Sequence, residues 1–287
     1  MYCDFFGISE KPFTITPNPN FIYLSGNHRE AFGRLQYGLE SHAGFIAMTG
    51  EVGTGKTTVL RTLLTRLDPD KYCIALIFNP CLSGEQLLTS ICRELNIEPE
   101  ERGSLGYLNA MNQFLLDQHA DGKTVVLVID EAQNLAPDVL EQVRMLSNLE
   151  TGQHKLVQIV LAGQPELNDV LNRHDMRQLN QRISVRCHLA PLSRHDTGEY
   201  IRHRLHVSGC RIPELFSSGA IKSIYRFSKG IPRLINIACD QALVMAWTQE
   251  SRMVTSAIAS RVILESRPGQ DRKGLWQRFH GWLWAGR

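Results

Sequence analysis

No CxxC pair occurs among the seven cysteines, Cys3, Cys73, Cys81, Cys92, Cys187, Cys210 and Cys239. Most of them sit in apolar stretches, which suits reduced, buried thiols and argues against disulfides or a metal site. No apolar run approaches the ~18 residues needed to cross a bilayer. The first eight residues carry Asp4 and lack the apolar core of a signal peptide. The expectation is a cytoplasmic chain. An excess of one charge is also missing, since the formal net charge is +2, so composition gives no general push toward nucleic acid or membrane. Internal repeats and low-complexity tracts are absent. What is present is ordinary globular composition, 43% hydrophobic and 21% charged over 287 residues, enough for one large domain and a small one.

The order of apolar patterns gives the fold class. Residues up to about Asn27 are rich in Pro, Asn and aromatics and read as an extended lead-in, followed by a helix over His28–Glu40. Strands and helices then alternate. Apolar runs at Phe45–Met48, Cys73–Phe78, Val125–Ile129, Leu156–Ala162 and Ser184–Leu189 are separated by helical spacings at Lys56–Leu67, Gly84–Leu95, Tyr107–His119 and Asp138–Ser147. Continuous Val, Ile and Leu alternating with helices predicts an α/β fold with a parallel sheet covered on both faces. After Pro191 the pattern turns all-helical, through Ser193–Val207, Ser217–Ser228, Pro232–Thr248 and Val254–Glu265. The expected division is an α/β core over 1–191, a small helical domain over 192–266 and a tail over 267–287.

The strongest local signal is Gly50-Glu51-Val52-Gly53-Thr54-Gly55-Lys56-Thr57, a complete GxxxxGK[ST] loop between an apolar run and a helix that continues through Thr58. Its glycines let backbone N–H groups turn inward around phosphate oxygens, and the helix start adds positive potential. Lys56 can reach the β- and γ-phosphates, while the Thr57 hydroxyl can ligate Mg²⁺. The strand Val125–Ile129 ends in Asp130-Glu131. In a P-loop ATPase such a strand is expected beside the one feeding the loop, with Asp130 in the Mg²⁺ shell and Glu131 polarising the attacking water. The adjacent acid pair points to ATP hydrolysis, and no NKxD-like guanine-reading motif is present.

Three further features are candidates. Gln164, after the fourth strand, can hold the water or report phosphate loss, or it can merely cap the next helix. Arg177, Arg182 and Arg186 flank the last strand, where they are either surface charges or fingers for a neighbouring subunit's γ-phosphate; Arg182 is the leading candidate and Arg177 the second. Arg233 follows Pro232 in the first turn of a helix, where a cation is locally unfavourable, so it is assigned to phosphate contact over simple solvation.

These residues resemble an ATPase family that includes the general secretion pathway A (ExeA-like) proteins and the MshM-like ATPases of MSHA-pilus biogenesis. The resemblance covers roughly residues 1–265. It rests on Phe5-Phe6-Gly7, Lys11-Pro12-Phe13, Thr16-Pro17-Asn18-Pro19, His28-Arg29-Glu30-Ala31 and Gly44-Phe45. It continues through Thr49–Thr57, Asp130-Glu131-Ala132-Gln133, Gly163-Gln164-Pro165-Glu166-Leu167, Arg177–Ile183 and Gly230-Ile231-Pro232-Arg233-Leu234-Ile235-Asn236. It implies an AAA+ P-loop NTPase core with a helical lid, ATP as ligand, ring or dimer assembly and a role at the bacterial inner membrane. By resemblance Lys56 and Thr57 are Walker A residues, Asp130 and Glu131 are Walker B residues, Gln164 holds the sensor 1 position and Arg233 the sensor 2 position. Longer family members continue past a transmembrane helix into a peptidoglycan-binding domain that this sequence lacks, which favours the short, MshM-like kind.

The implied partners are further copies of the chain and proteins of a pilus, secretion or polysaccharide-export apparatus. Two rival readings remain open, a DNA-associated transposition-target regulator and a nucleotide-gated scaffold with little hydrolysis. DNA binding calls for a basic stripe on the core, whereas the body is slightly acidic with scattered arginines, and the basic excess lies in the tail, with five basic and one acidic residue between Arg267 and Arg287. Nucleic acid is not the expected partner. In the tail Leu275, Trp276, Phe279, Trp282 and Leu283 share one helical face, with Arg272, Lys273 and Arg278 around it. That arrangement fits an anionic membrane surface, or equally packing on the body or on a protein.

Overall fold

The computed structural model describes residues 2–16, 18–78, 82–150 and 155–266. The tail helix expected over Leu275–Trp284 lies outside the described residues, as does Cys81. The chain divides into two compact units at Leu192/Ser193, one built on the sheet (residues 18–192 and 231–233) and one helical (2–16, 193–230 and 234–266). The lead-in residues 2–16 thus group with the C-terminal helices, and they include a short helix α1, Tyr2–Phe6.

In the sheet unit five strands run parallel: β1 (Phe45–Gly50), β2 (Tyr72–Ile77), β3 (Thr124–Ile129), β4 (Val157–Gly163) and β5 (Ile183–Leu189). Their order is β2-β3-β4-β1-β5. This corrects the expectation that the strand ending in Asp130 lies beside the strand feeding the Gly-rich loop. β4 is inserted between them, pairing its Gly163 with Thr49 of β1 on one side and its Leu161 with Ile129 of β3 on the other. Because all strands point the same way, the ends of β1, β3 and β4 still meet along one edge of the sheet.

The helices of this unit are α2 (Gly26–Glu40), α3 (Lys56–Leu64), α4 (Gly84–Glu94), α5 (Ser104–Ala120), α6 (Pro137–Leu146), α7 (Glu166–Leu171) and α8 (Arg177–Arg182). Strand side chains alternate between two cores. Phe45, Ala47, Leu127, Ile129, Ile159 and Leu161 pack with residues of α4, α5 and α6. Ile46, Met48, Val126, Val128, Val160 and Ala162 pack with α2 and α3. Both faces of β1, β3 and β4 are therefore buried, which is why their sequences read as unbroken apolar runs. Each large aliphatic side chain so buried contributes roughly 1.5–3 kcal/mol. One polar exception, Gln158 of β4, is fully buried and donates from Nε2 to the Leu39 carbonyl at 2.8 Å, satisfying the C-terminal end of α2.

In the helical unit are α9 (Arg194–Val207), α10 (Ser218–Ser228), α11 (Pro232–Thr248, from Leu234 onward in this unit) and α12 (Ser256–Glu265). Ser193, Ser217 and Thr255 cap α9, α10 and α12 by accepting a backbone N–H. Besides helices it holds one isolated β-bridge, Phe216 to Val254. A buried polar chain ties the lead-in down: Arg204 donates to the Pro12 carbonyl and to Tyr200 Oη, Tyr200 to Asn236 Oδ1 at 2.8 Å, and Asn236 to the Thr14 carbonyl at 3.2 Å. Six described cysteines carry free thiols. Among the described residues no helix is long and apolar enough to cross a membrane.

Candidate functional site

The Gly50–Thr57 segment forms a tight loop from the end of β1 into α3. Gly53 and Gly55 adopt φ of 82° and 104°, left-handed values that a side chain disfavours. Gly50 approaches the end of β5 so closely that a Cβ would lie 2.7 Å from the Leu189 carbonyl oxygen. The loop leads directly into the first turn of α3, where the helix end is electropositive, as an anion requires. Lys56 is buried at 5% exposure, and its Nζ donates to the carbonyls of Gly50 at 2.7 Å and Glu51 at 3.2 Å. Burial pulls its pKa below the usual lysine range, against the opposing pull of Glu131 and Asp130. Val52 stands at the exposed tip.

Thr57, in the first turn of α3, donates to Asp130 Oδ2 at 2.6 Å. The two candidate metal ligands are therefore adjacent even though β4 separates their strands. Thr58 continues the same turn, its carbonyl accepting from the Thr62 hydroxyl at 2.8 Å. Both oxygens of the Thr57–Asp130 pair are hard donors of the kind Mg²⁺ takes.

Glu131 sits at φ 56°, left-handed for a residue with a side chain, a conformation costing about 1–2 kcal/mol. Its backbone N–H donates to Asp130 Oδ1 at 3.0 Å. Its carboxylate Oε2 accepts from Gln133 Nε2 at 2.6 Å and from Gln164 Nε2 at 3.2 Å. Burial pushes this carboxyl up, but the Gln133 and Gln164 amides and the Lys56 charge outweigh it, leaving the group below the usual glutamate range. Strain held by several contacts is a recurrent property of functional positions.

The structure thus brings together Gly50 to Thr58, Asp130, Glu131 and Gln164. Arg233 joins them through its main chain: its N–H donates to the Gly53 carbonyl at 3.3 Å, and a Cβ on Gly53 would lie 2.7 Å from Arg233 Cβ. Its side chain is exposed. The other arginines stand apart. Arg182 is bound within its own chain, donating to Ser147 Oγ at 2.8 Å and to Asn148 Oδ1. Arg186 donates to the carbonyl and side chain of Asn180, and Arg177 is exposed at the start of α8.

Two residues of this region were not among the sequence candidates. Gln133 bridges Glu131 and the end of β4, as its Oε1 accepts the Gln164 N–H at 3.0 Å. His28, 5% exposed, contacts the Thr54 carbonyl through Nε2 at 3.1 Å and Ser25 Oγ through Nδ1 at 2.7 Å. A carbonyl only accepts, so Nε2 carries the proton and Nδ1 takes the Ser25 hydroxyl hydrogen. Its signal was a histidine three residues after the N-cap of α2, on the helix side that also buries Ala31 and Leu35.

The AAA domain family matches residues 39–171, which spans β1 to α7. General secretion pathway protein A of Aeromonas hydrophila is 47% identical over 278 residues, 96% of this chain and 50% of that protein. The chain therefore spans half the length of this relative. Among solved structures, the Aeropyrum pernix ORC2 protein in its ADPNP–ADP complexes superposes with a TM-score of 0.68 at 16% identity, over 90% of this chain and 72% of that one. Cdc6p from Pyrobaculum aerophilum gives 0.68 at 19% identity, over 89% and 73%. A RuvB variant of Thermotoga maritima gives 0.58 at 16% identity, over 85% and 70%. These structures are alike in fold. The stretch that matches the AAA domain family carries both the Gly50–Thr57 loop and Asp130-Glu131, and over nearly its whole length the chain is similar to General secretion pathway protein A.

Proposed function

We propose that the chain binds ATP with Mg²⁺, hydrolyses it, and couples that cycle to assembly of a bacterial envelope apparatus. The observation that carries the reading is the Thr57–Asp130 hydrogen bond of 2.6 Å, which joins the loop motif and the acid-pair motif into one site. Phosphate oxygens would displace the Gly50 and Glu51 carbonyls from Lys56 and take hydrogen bonds from the loop N–H groups. Thr57 and Asp130 would hold Mg²⁺, which when bound neutralises charge on the β- and γ-phosphates. Glu131, ionised and held at one oxygen, would orient the attacking water and take its proton. Gln164 would stand beside that water, and Arg233 would report the nucleotide state to the start of α11.

The assembly role is supported by the similarity to General secretion pathway protein A; secretion of the type II kind, an MSHA-type pilus or polysaccharide export are the systems it would serve. It would act as a homo-oligomer in the cytoplasm, peripheral to the inner membrane, with Arg182 or Arg177 reaching the neighbouring copy's γ-phosphate. For Arg182 this requires release from Ser147 and Asn148 on assembly.

The test is a fluorescent-nucleotide titration with Mg²⁺ and with EDTA. Asp130→Asn should match wild type in EDTA and lose the gain in affinity that Mg²⁺ confers. An equal Mg²⁺ gain in both proteins would remove Asp130 from the metal site.

A further inference from the structure

Nothing in the P-loop and acid-pair motifs explains Gln133, yet the structure gives its amide two partners at once. Nε2 donates to Glu131 Oε2 at 2.6 Å, and Oε1 accepts the N–H of Gln164 at 3.0 Å. The chain geometry is built to return this side chain. Glu131 enters the left-handed region, and the residues Ala132–Asn134 form a 3₁₀ turn closed by Asn134 N–H to Glu131 O at 3.0 Å. On the other side, Gly163 leaves the space the amide occupies, since a Cβ there would lie 2.7 Å from Gln133 Oε1. Among the described residues both side-chain contacts of the Glu131 carboxylate, from Gln133 and Gln164, fall on Oε2. In that arrangement Oε1 is the oxygen that would meet the attacking water.

We propose that Gln133 is a positioning residue: it fixes the rotation of the Glu131 carboxylate and locks it to the backbone at the end of β4, so that the base and Gln164 act as one unit. The inference rests on the reading of Glu131 as the water-orienting base. The chemistry explains why the residue is glutamine. Glutamate would have no donor for Glu131 and would place a second negative charge beside it. Asparagine carries both functions on an arm one methylene too short for both partners. Methionine has nearly the same length and volume and makes neither bond, so it separates hydrogen bonding from packing.

An unfixed carboxylate still attracts Mg²⁺-nucleotide as before but spends less time aligned with the water, so the loss belongs in kcat and not in substrate affinity. The experiment is steady-state phosphate release from Mg-ATP by the full chain, with nucleotide affinity and thermal midpoint measured on each variant. Gln133→Met is expected to lower kcat at least tenfold, with KM for ATP and nucleotide affinity within twofold of wild type. In a Glu131→Gln background the same substitution is expected to have no further effect, because its action passes through Glu131; a merely structural role would add to the loss. Gly163→Ala, whose Cβ would crowd the Gln133 amide at 2.7 Å and Leu167 at 3.0 Å, should lower kcat as well, and if Gln133→Met is unstable Gln133→Asn, which keeps the amide on a shorter arm, decides the matter with the same expected kcat loss. Retention of wild-type kcat by the folded variants, or an additive loss in the Glu131→Gln background, overturns the inference alone. A wild-type rate no higher than that of Glu131→Gln would overturn the hydrolytic reading and this inference with it.

Discussion

Replacing Gly53 by alanine perturbs two things that can be separated. The first is backbone strain, because Gly53 has φ 82°. Left-handed backbone costs a residue with a Cβ about 1–2 kcal/mol, offset by about 0.4–1 kcal/mol from the stiffer unfolded chain. The second is a clash: the new Cβ would lie 2.7 Å from Arg233 Cβ and 3.2 Å from Ile231 Cγ2. Neither is the far end of a flexible chain, so the contact resembles overpacking, which typically costs about 1–3 kcal/mol. Gly122 is the internal control. It has φ 74° in the same unit, and a Cβ added there would meet nothing within 4 Å, so Gly122→Ala carries the strain alone. Gly122→Ala should cost about 0.5–1 kcal/mol and Gly53→Ala about 2–4 kcal/mol. Thermal midpoints should fall by roughly 2–4 °C per kcal/mol. Only Gly53→Ala should weaken nucleotide binding, by at least tenfold, because the loop must open to relieve the clash. Equal thermal shifts for the two variants, with nucleotide affinity intact in both, would refute the close packing of Arg233 on the loop and the reasoning built on it.

Lys56→Ala should abolish ATP binding, since it removes the buried cation that would face the β- and γ-phosphates in the proposed site; micromolar affinity in a nucleotide titration would contradict the site. Arg182→Ala should spare binding and abolish the part of hydrolysis that rises with protein concentration, whereas per-subunit rates independent of concentration in both proteins would exclude a trans-acting arginine. Tyr200→Phe, which strands Asn236 and removes an acceptor from Arg204, should destabilise the helical unit by about 1–3 kcal/mol in urea unfolding, and an unchanged midpoint would show the polar chain to be dispensable. Burial pushes the Cys187 thiol up to about 12, so thiolate-directed reagents at neutral pH should label it only on unfolding; native labelling as fast as that of Cys3 would contradict its burial.

What the sequence made legible was whatever is local. The Gly50–Thr57 loop and Asp130-Glu131 are contiguous in the chain, and their flanking apolar runs place them at strand ends. Strand boundaries followed from the continuous burial of β1, β3 and β4, and came within a residue or two. The insertion of β4 between β1 and β3 could not be read this way, because both orders produce the same apolar runs. The left-handed turn at Glu131 hid the role of Gln133, since no propensity requires a glutamate at φ 56°. The intrachain partners of Arg182 could not be read from the sequence because Ser147 and Asn148 lie more than thirty residues upstream. His28 was hidden for the same reason, its partner Thr54 being 26 residues away. The α1 helix, Tyr2–Phe6, spans 5 residues, too few for a 3.6-residue period to declare itself.

The central claim is that the two motifs form one hydrolytic centre with Glu131 as its base. Phosphate release from Mg-ATP, measured side by side for wild type and Glu131→Gln at matched nucleotide occupancy, tests it most directly. The account predicts equal nucleotide affinity and a turnover at least tenfold slower in Glu131→Gln; equal turnover in the two proteins would contradict it.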